Sequence, residues 1–229
     1  MKHSLIILHG ALGSKEQFTE WENALNNKYD CRTLDFAGHG SRSGEANEFS
    51  IKLFSEELKM YIKQNNLKQP GILGYSMGGY VALYTALFTE GFIGNIITLA
   101  TKFDWNAESS KKEAGYLQPQ LMQGKVPAFA EQLKQRHGSH WGEVVNKTAA
   151  MMLQLGENPP LTKENIAQVK NKIKFCVGDK DKMVSIDETQ TMFKSAAYGN
   201  LSVLPNTGHL PETISLHRIK FEVQEFMPY

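Results

Sequence analysis

The sequence predicts an α/β fold, a doubly wound, parallel sheet of about six strands with helices on both faces and a helical insertion over one edge. Three observations carry this expectation. Short runs rich in Val and Ile, bounded by Gly, Asp or Asn, alternate with longer segments of helical period. A serine flanked by glycines joins one such run to a helix. The stretch 101–168 breaks the alternation with amphipathic pieces and no strand-like run.

The strand-like runs are Ser4–Leu8, Cys31–Asp35, Gly71–Tyr75, Asn95–Leu99, Ile173–Val177 and Leu201–Leu204. Near-continuous apolar strands of this kind suit a parallel sheet buried on both faces. Helices are expected over Glu16–Asn26, Ile51–Asn65, Met77–Phe88, Ile186–Ala197 and Ser215–Phe226. In the second of these, Ile51, Phe54, Leu58, Tyr61 and Ile62 recur three or four apart and share one helix face. The pieces Val126–Arg136 and Trp141–Leu155 are punctuated by Pro119, Pro127, Gly138, Gly156 and Pro159-Pro160. Their Leu, Met, Phe and Trp need burial, which argues against a linker. The expected organisation is a core of 1–100 and 169–229, with 101–168 as a helical cap over the carboxyl edge of the sheet.

A chain of 229 residues is one domain, or one domain with an insertion. Folding at this length buries roughly 70–75% of the unfolded surface, so no metal or disulfide staple is required. The 25 Lys+Arg and 24 Asp+Glu give a net charge of +1 and are scattered, without the basic stripe that nucleic acid or an anionic membrane would select. A small-molecule substrate is therefore the expected partner, with the chain a monomer or weak homodimer. Cys31 and Cys176 lie far apart in apolar runs and read as buried, reduced thiols of a cytoplasmic protein. The run Leu5-Ile6-Ile7-Leu8 is shorter than a secretory segment and leads into His9-Gly10 without a small-residue cleavage site. No segment approaches the roughly 20 apolar residues of a membrane span.

The strongest local signal is Gly74-Tyr75-Ser76-Met77-Gly78-Gly79, after a strand and before a helix. So tight a strand-to-helix turn needs small residues around Ser76, and it holds the hydroxyl above the sheet edge as a candidate nucleophile. A hydroxyl needs a base, and the base needs a group that fixes its tautomer. His209, in a Gly/Pro-flanked loop after the last strand, is the best-placed histidine. Asp181, further into its loop than Asp179, is the better acid, since an aspartate directly after Gly178 more often satisfies backbone. Met77 N–H and Ala11 N–H are the candidate oxyanion donors, from the helix start and from the loop after the first strand. His9 reads as a structural tie between loops, and His39 belongs to a Gly-His-Gly loop. His137 and His140 lack the further ligands of a metal site. Candidate pocket residues are Tyr75, Leu12, Phe103, Trp105 and Leu210, with His137 and Trp141 as a roof.

These residues together resemble the capped, serine-nucleophile members of the α/β-hydrolase superfamily. The resemblance runs through His9-Gly10 with Gly13-Ser14, Asp35-Phe36-Ala37-Gly38-His39-Gly40-Ser41, Gly74–Gly79, Gly178–Asp181 and Gly208-His209. The chain order Ser76, Asp181, His209 is the order of that superfamily. Ala37 stands where the family's structural loop usually has proline, and the chain opens at the family's third strand, so the N-terminal hairpin is expected to be absent. The elbow is similar to that of the menaquinone-pathway synthase that eliminates pyruvate, but Tyr80 replaces the arginine that grips carboxylates there. Dehalogenases and epoxide hydrolases of this fold carry aspartate at the position of Ser76. The resemblance implies a serine hydrolase of a carboxylic ester or thioester of a small, largely apolar substrate, without metal or organic cofactor. The alternatives are a lyase or carbon–carbon bond hydrolase using the same triad, and a non-catalytic ligand-binding member of the fold.

Overall fold

The structure is a computed structural model that describes residues 2–228. Its strands are β1 (His3–Leu8), β2 (Tyr29–Leu34), β3 (Gly71–Tyr75), β4 (Ile96–Leu99), β5 (Ile173–Gly178) and β6 (Gly199–Leu204). They form one six-stranded, all-parallel sheet in the order β2-β1-β3-β4-β5-β6. The chain steps outward from β1 to β2, returns to β3 on the other side of β1, and continues to β6. The switch point thus lies between β1 and β3, where connections leave to opposite faces and a crevice opens at the carboxyl ends. Leu8 of β1 is level with Gly74 of β3, and Tyr75 of β3 is level with Leu99 of β4. The loops that leave β1 and β3 therefore start side by side.

The helices are α1 (Thr19–Leu25), α2 (Ile51–Gln64), α3 (Met77–Phe88), α4 (Ala107–Gly115), α5 (Pro119–Lys125), α6 (Pro127–His137), α7 (Trp141–Glu157), α8 (Lys163–Ile166), α9 (Ile186–Ser195) and α10 (Leu216–Phe226). Side chains alternate across each strand, so Leu5 and Ile7 enter one apolar layer while Ile6 and Leu8 enter the other. The first layer is closed by Trp21 and Leu25 of α1 with Ile219 and Val223 of α10. Phe54 and Leu58 of α2, Val81 and Leu83 of α3, and Met192 of α9 close the second. Ser50 starts α2 by accepting a hydrogen bond from Leu53 N–H, and Ile51, Phe54, Leu58 and Ile62 form its buried stripe. Several element bounds differ from expectation, and β6, for one, begins at Gly199 and not Leu201. The first helix opens as a 3-10 turn at Lys15–Phe18 before α1, where Gln17 Oε1 accepts from Ser14 N–H at 3.2 Å. β2 begins at Tyr29, before the expected Cys31, because its pairing with His3 extends the ladder.

Five helices, α4 to α8, lie between β4 and β5 and form the helical insertion. α4 has no apolar stripe. It buries Ser110 and Ala114, and packs where Gly156 of α7 leaves room, since a Cβ at Gly156 would overlap Ser110 Oγ. Ala37, at the position of the family's proline, makes a bond that proline cannot: its N–H donates to Glu57 Oε2 of α2 at 2.9 Å, and Glu57 also pairs with Arg42 at 2.9 Å. Cys31 and Cys176 are both buried free thiols, and burial pushes the Cys31 thiol up to about 12. Among the described residues no helix is long and apolar enough to cross a membrane.

Candidate active site

The elbow between β3 and α3 is built by close backbone contact. A Cβ at Gly74 would overlap the backbone of Gly79, and one at Gly78 would fall 2.5 Å from the Leu8 carbonyl oxygen. Small residues there let α3 start directly over β1 and β3. Ser76 sits at the bend with φ 50° and ψ −117°, a left-handed backbone that non-glycine residues rarely adopt. Four hydrogen bonds hold its backbone: Ser76 N–H donates to Leu99 O at 2.8 Å, and Thr101 Oγ1, Gly79 N–H and Tyr80 N–H donate to Ser76 O at 3.0, 3.1 and 3.4 Å. Such strain costs on the order of 1–3 kcal/mol and persists only where the surroundings over-determine it.

The loop after β6 brings His209 over this serine, with Nε2 3.5 Å from Ser76 Oγ. Its Nδ1 lies 2.8 Å from Asp181 Oδ2. Asp181 is fixed in turn, because its Oδ1 accepts from Met183 N–H at 2.8 Å and Val184 N–H at 2.9 Å. Burial alone would raise the Asp181 carboxyl. The hydrogen bond and charge of His209, with the two amides, outweigh burial and hold it below the usual carboxylate range. An ionised carboxylate only accepts, so the His209 proton resides on Nδ1 and the Nε2 lone pair faces Ser76. Tyr75 adds a hold from below, its hydroxyl donating to the His209 carbonyl at 2.9 Å. Asp179 is not part of this chain of contacts; its Oδ1 accepts from Thr207 N–H at 3.1 Å and ties the loops after β5 and β6 together.

The loop after β1 lies against the elbow, so close that a Cβ at Gly10 would be 3.1 Å from Ser76 Cβ. His9 Nδ1–H donates to the Gly10 carbonyl at 2.8 Å, and its Nε2 accepts from Phe36 N–H at 3.1 Å. Burial lowers this imidazole to about 4, so it is neutral at pH 7. The Gly10–Ala11 peptide is planar and trans, so pinning its carbonyl also aims the Ala11 N–H the opposite way. Among the described residues neither Ala11 N–H nor Met77 N–H donates to a protein acceptor.

Ser76 and His209 open into a cavity of about 200 Å³. Ala11, Leu12, Tyr75, Met77, Trp105 and Leu210 are among the residues that line it. Its roof comes from the insertion, through Tyr116, Phe129, Met151, Met152 and Leu155. Three of the expected pocket residues lie elsewhere. Phe103 points away, packing between Tyr80 and Phe175 with ring centroids 6.4 and 5.9 Å distant. His137 is buried beneath the loop after β1, its Nε2–H donating to Leu12 O at 3.0 Å and its Nδ1 accepting from Gly40 N–H at 3.0 Å. Trp141 opens α7 half-buried, with Lys134 Nζ 5.8 Å from its ring, outside the cavity wall. His140 pairs with Glu143 at 3.2 Å. Among the described residues no group of three or more His, Cys, Asp or Glu is arranged to hold a metal ion.

Sequence reasoning did not single out Tyr80, Lys102, Glu113 or the Met151-Met152 pair as walls. The methionines sit on the buried stripe of α7 with Val144, Val145 and Leu155, so helical period marks them as buried without saying against what. Lys102 is nearly buried, with Nζ donating to Met183 O at 3.4 Å and lying 4.0 Å from Glu188 Oε2. Nothing in its neighbourhood of sequence signals that position.

Comparison with known proteins agrees with this architecture. A stretch of 86 residues is 35% identical to the magnesium-chelatase 30 kDa subunit of Rhodobacter capsulatus, covering 37% of this chain and 30% of that one. Another, of 85 residues, is 33% identical to 2-succinyl-6-hydroxy-2,4-cyclohexadiene-1-carboxylate synthase of Yersinia pseudotuberculosis, again covering 37% of this chain and 30% of the relative. The chain thus spans less than half the length of these curated relatives. Among solved structures, a thermophilic esterase from Thermogutta terrifontis superposes with a TM-score of 0.79 at 17% identity, covering 98% of this chain and 89% of that one. That likeness is one of fold. The model of the alpha/beta hydrolase fold matches residues 3–204, from the first strand to the last, and on that match the chain belongs to the alpha/beta hydrolase fold family.

Proposed function

We propose that this protein is a serine hydrolase that cleaves a carboxylic ester or thioester of a small, largely apolar substrate through an acyl-enzyme. Ser76 Oγ attacks the substrate carbonyl while His209 Nε2 takes the hydroxyl proton, and Asp181 stabilises the imidazolium that forms. The carbonyl π pair moves onto oxygen, and the N–H groups of Ala11 and Met77 receive that oxyanion at the start of α3, where the helix dipole adds its positive end. Collapse expels the alcohol or thiol, which takes the proton from His209. Water then attacks the acyl-enzyme by the same route and releases the acid. The observation that carries this reading is the unbroken contact Ser76 Oγ, His209 and Asp181, at 3.5 and 2.8 Å, at the floor of a cavity with mainly apolar walls. The serine–base distance of 3.5 Å is at the long end of a hydrogen bond, and such catalytic contacts tighten in the Michaelis complex.

Exposure to a fluorophosphonate followed by intact-mass measurement tests it. One adduct is expected on the unmodified protein and none on Ser76→Ala, and Ser76→Ala and His209→Ala are expected to lower ester turnover by about 10⁴–10⁶. Near-normal hydrolysis by Ser76→Ala sinks the mechanism. The partial identity to the Yersinia synthase supports a second reading, in which the same three residues serve a lyase or carbon–carbon bond cleavage. A substrate panel holding both simple esters and vinylogous diketones separates the two.

A further inference from the structure

The turn that carries the Ala11 N–H is gripped from two directions. From the core side, His9 Nδ1–H and Gly13 N–H both donate to the Gly10 carbonyl, at 2.8 and 3.1 Å. From the other side, the Leu12 carbonyl accepts from Arg136 Nη1 and from His137 Nε2–H, each at 3.0 Å. Both of these donors end α6 and belong to the insertion. Leu12 itself has φ 59°, a left-handed backbone without glycine to ease it. A residue kept there relaxes when its restraints go. Leu12 is also a central residue of the turn, so its rotation breaks the Gly13-to-Gly10 bond and leaves the Gly10–Ala11 peptide held by His9 alone.

The His137 ring is locked for this contact. Gly40 N–H donates to Nδ1, which leaves the proton on Nε2 facing Leu12, and Ser43 Oγ donates to the His137 carbonyl at 2.7 Å. Neither Arg136 nor His137 lines the cavity, whereas Phe129, two turns earlier on the same helix, does. The helix that roofs the substrate is the helix that holds the turn.

We propose that Arg136 and His137 are positioning residues that hold the oxyanion turn through the Leu12 carbonyl, making the seating of the insertion and the stabilisation of the tetrahedral intermediate one event. The proposal rests on the hydrolase reading above and adds a role for the insertion beyond shaping the cavity.

The test compares the full-length protein with Arg136→Met, His137→Ala and His137→Gln on a p-nitrophenyl ester, with a trifluoromethyl ketone as a probe that forms an oxyanion on Ser76. Arg136→Met and His137→Ala are expected to lose about 10²-fold in kcat, with KM changed less than about threefold. Ketone affinity is expected to fall by the same factor as kcat/KM, and His137→Gln, whose amide can accept and donate in the same places, to recover most of it. A merely structural role predicts none of that parallel. Unchanged kcat and ketone affinity in both variants, on a protein whose Ser76 still labels, overturns the latch and spares the hydrolase reading. A wild-type protein that neither labels nor turns over removes the hydrolase reading instead, and amide hydrogen exchange of residues 9–18 then decides the latch. Faster exchange there in the variants supports it, and unchanged exchange overturns it.

Discussion

At the scale of single residues, the two aspartates of the loop after β5 separate by what their oxygens do. Asp181 commits one oxygen to His209 and the other to two amides, and its side chain is fully buried. Asp179 commits Oδ1 to Thr207 N–H and remains exposed. Asparagine at 181 would offer an N–H to His209 Nδ1 and leave the ring proton on Nε2, pointing at the serine it should deprotonate. Asp181→Asn is therefore expected to lower kcat by about 10⁴ with the fold intact, the size this tautomer error has in serine proteases. Asp179→Asn keeps an acceptor for Thr207 and is expected to hold turnover within a few-fold of the unmodified protein. Steady-state kinetics on one ester checks both, and the reverse ranking of the two variants shows that the acid is assigned to the wrong residue.

At the scale of elements, the elbow makes a prediction about stability that is separate from chemistry. A Cβ at Gly74 meets the N and Cα of Gly79, and backbone has no rotamer by which to yield. Gly74→Ala is expected to cost about 3 kcal/mol, which lowers Tm by roughly 6–12 °C for a domain of this size. Gly124 in α5 is the control, since a Cβ there meets nothing within 4 Å and alanine favours a helix by up to about 1 kcal/mol. Thermal melts of the two variants decide it; equal melting temperatures contradict the packing argument. The elbow was also the part of the molecule most legible from sequence, because a strand end, small flanking residues and a helix start are all local. The four central strands, β1, β3, β4 and β5, were legible for a related reason, since burial on both faces makes each largely an apolar run. The insertion was legible as helical and in its place between two strands, but not in how its helices stack. α4 buries Ser110 and Ala114 against Gly156 without an apolar stripe, so no periodicity marks it. Phe103, His137 and Trp141 were misplaced as pocket walls because the direction of each depends on how those helices stack. His137 shows the difference well: its spacing from His140 carries no information about the Leu12 carbonyl, which lies in a distant part of the chain.

At the scale of the whole molecule, the insertion is joined to the sheet by a column of buried imidazoles whose protonation state bears on global stability. His9 at the end of β1, His39 in the loop after β2 and His137 at the end of α6 lie ring to ring, with centroids 5.0 Å apart for His9 and His39 and 5.8 Å for His39 and His137. All three rings are held below the ordinary histidine value, first by burial and then by their own neighbours. For His9 the neighbours that lower it are His137 and Arg136, for His39 they are His9 and His137, and for His137 it is Arg136. Asp35 works against this at His9 and His137 without overcoming it. Hydrogen bonding enforces the same state, because His9 Nε2 and His137 Nδ1 each accept a backbone N–H and a proton there would displace it. The unfolded chain titrates these groups near 6.5. Above that pH they are neutral in both states and contribute no slope. Below it the unfolded chain binds protons that the native chain refuses, so stability falls as pH falls, by about 1.4 kcal/mol per pH unit for each histidine, until the native values are reached. For His9 that window closes at about 4. Asp181, held below the usual carboxylate range, loses its own contribution only from the unfolded carboxylate value near 4 downward, so the histidine slope stands alone above it. The urea midpoint is therefore expected to be flat from pH 8 to pH 7 and to drop steadily between pH 6.5 and pH 5. His39→Phe, which keeps a ring stacked on Phe49, is expected to make that drop shallower, since one of the proton-binding sites is removed. A midpoint that is unchanged between pH 7 and pH 5 would mean that the column is protonated in the folded protein. The bonds from Gly40 and Phe36 to its rings would then have to break as the pH falls below about 6.5 without cost to stability, and the insertion would be held to the sheet there by something other than these imidazoles.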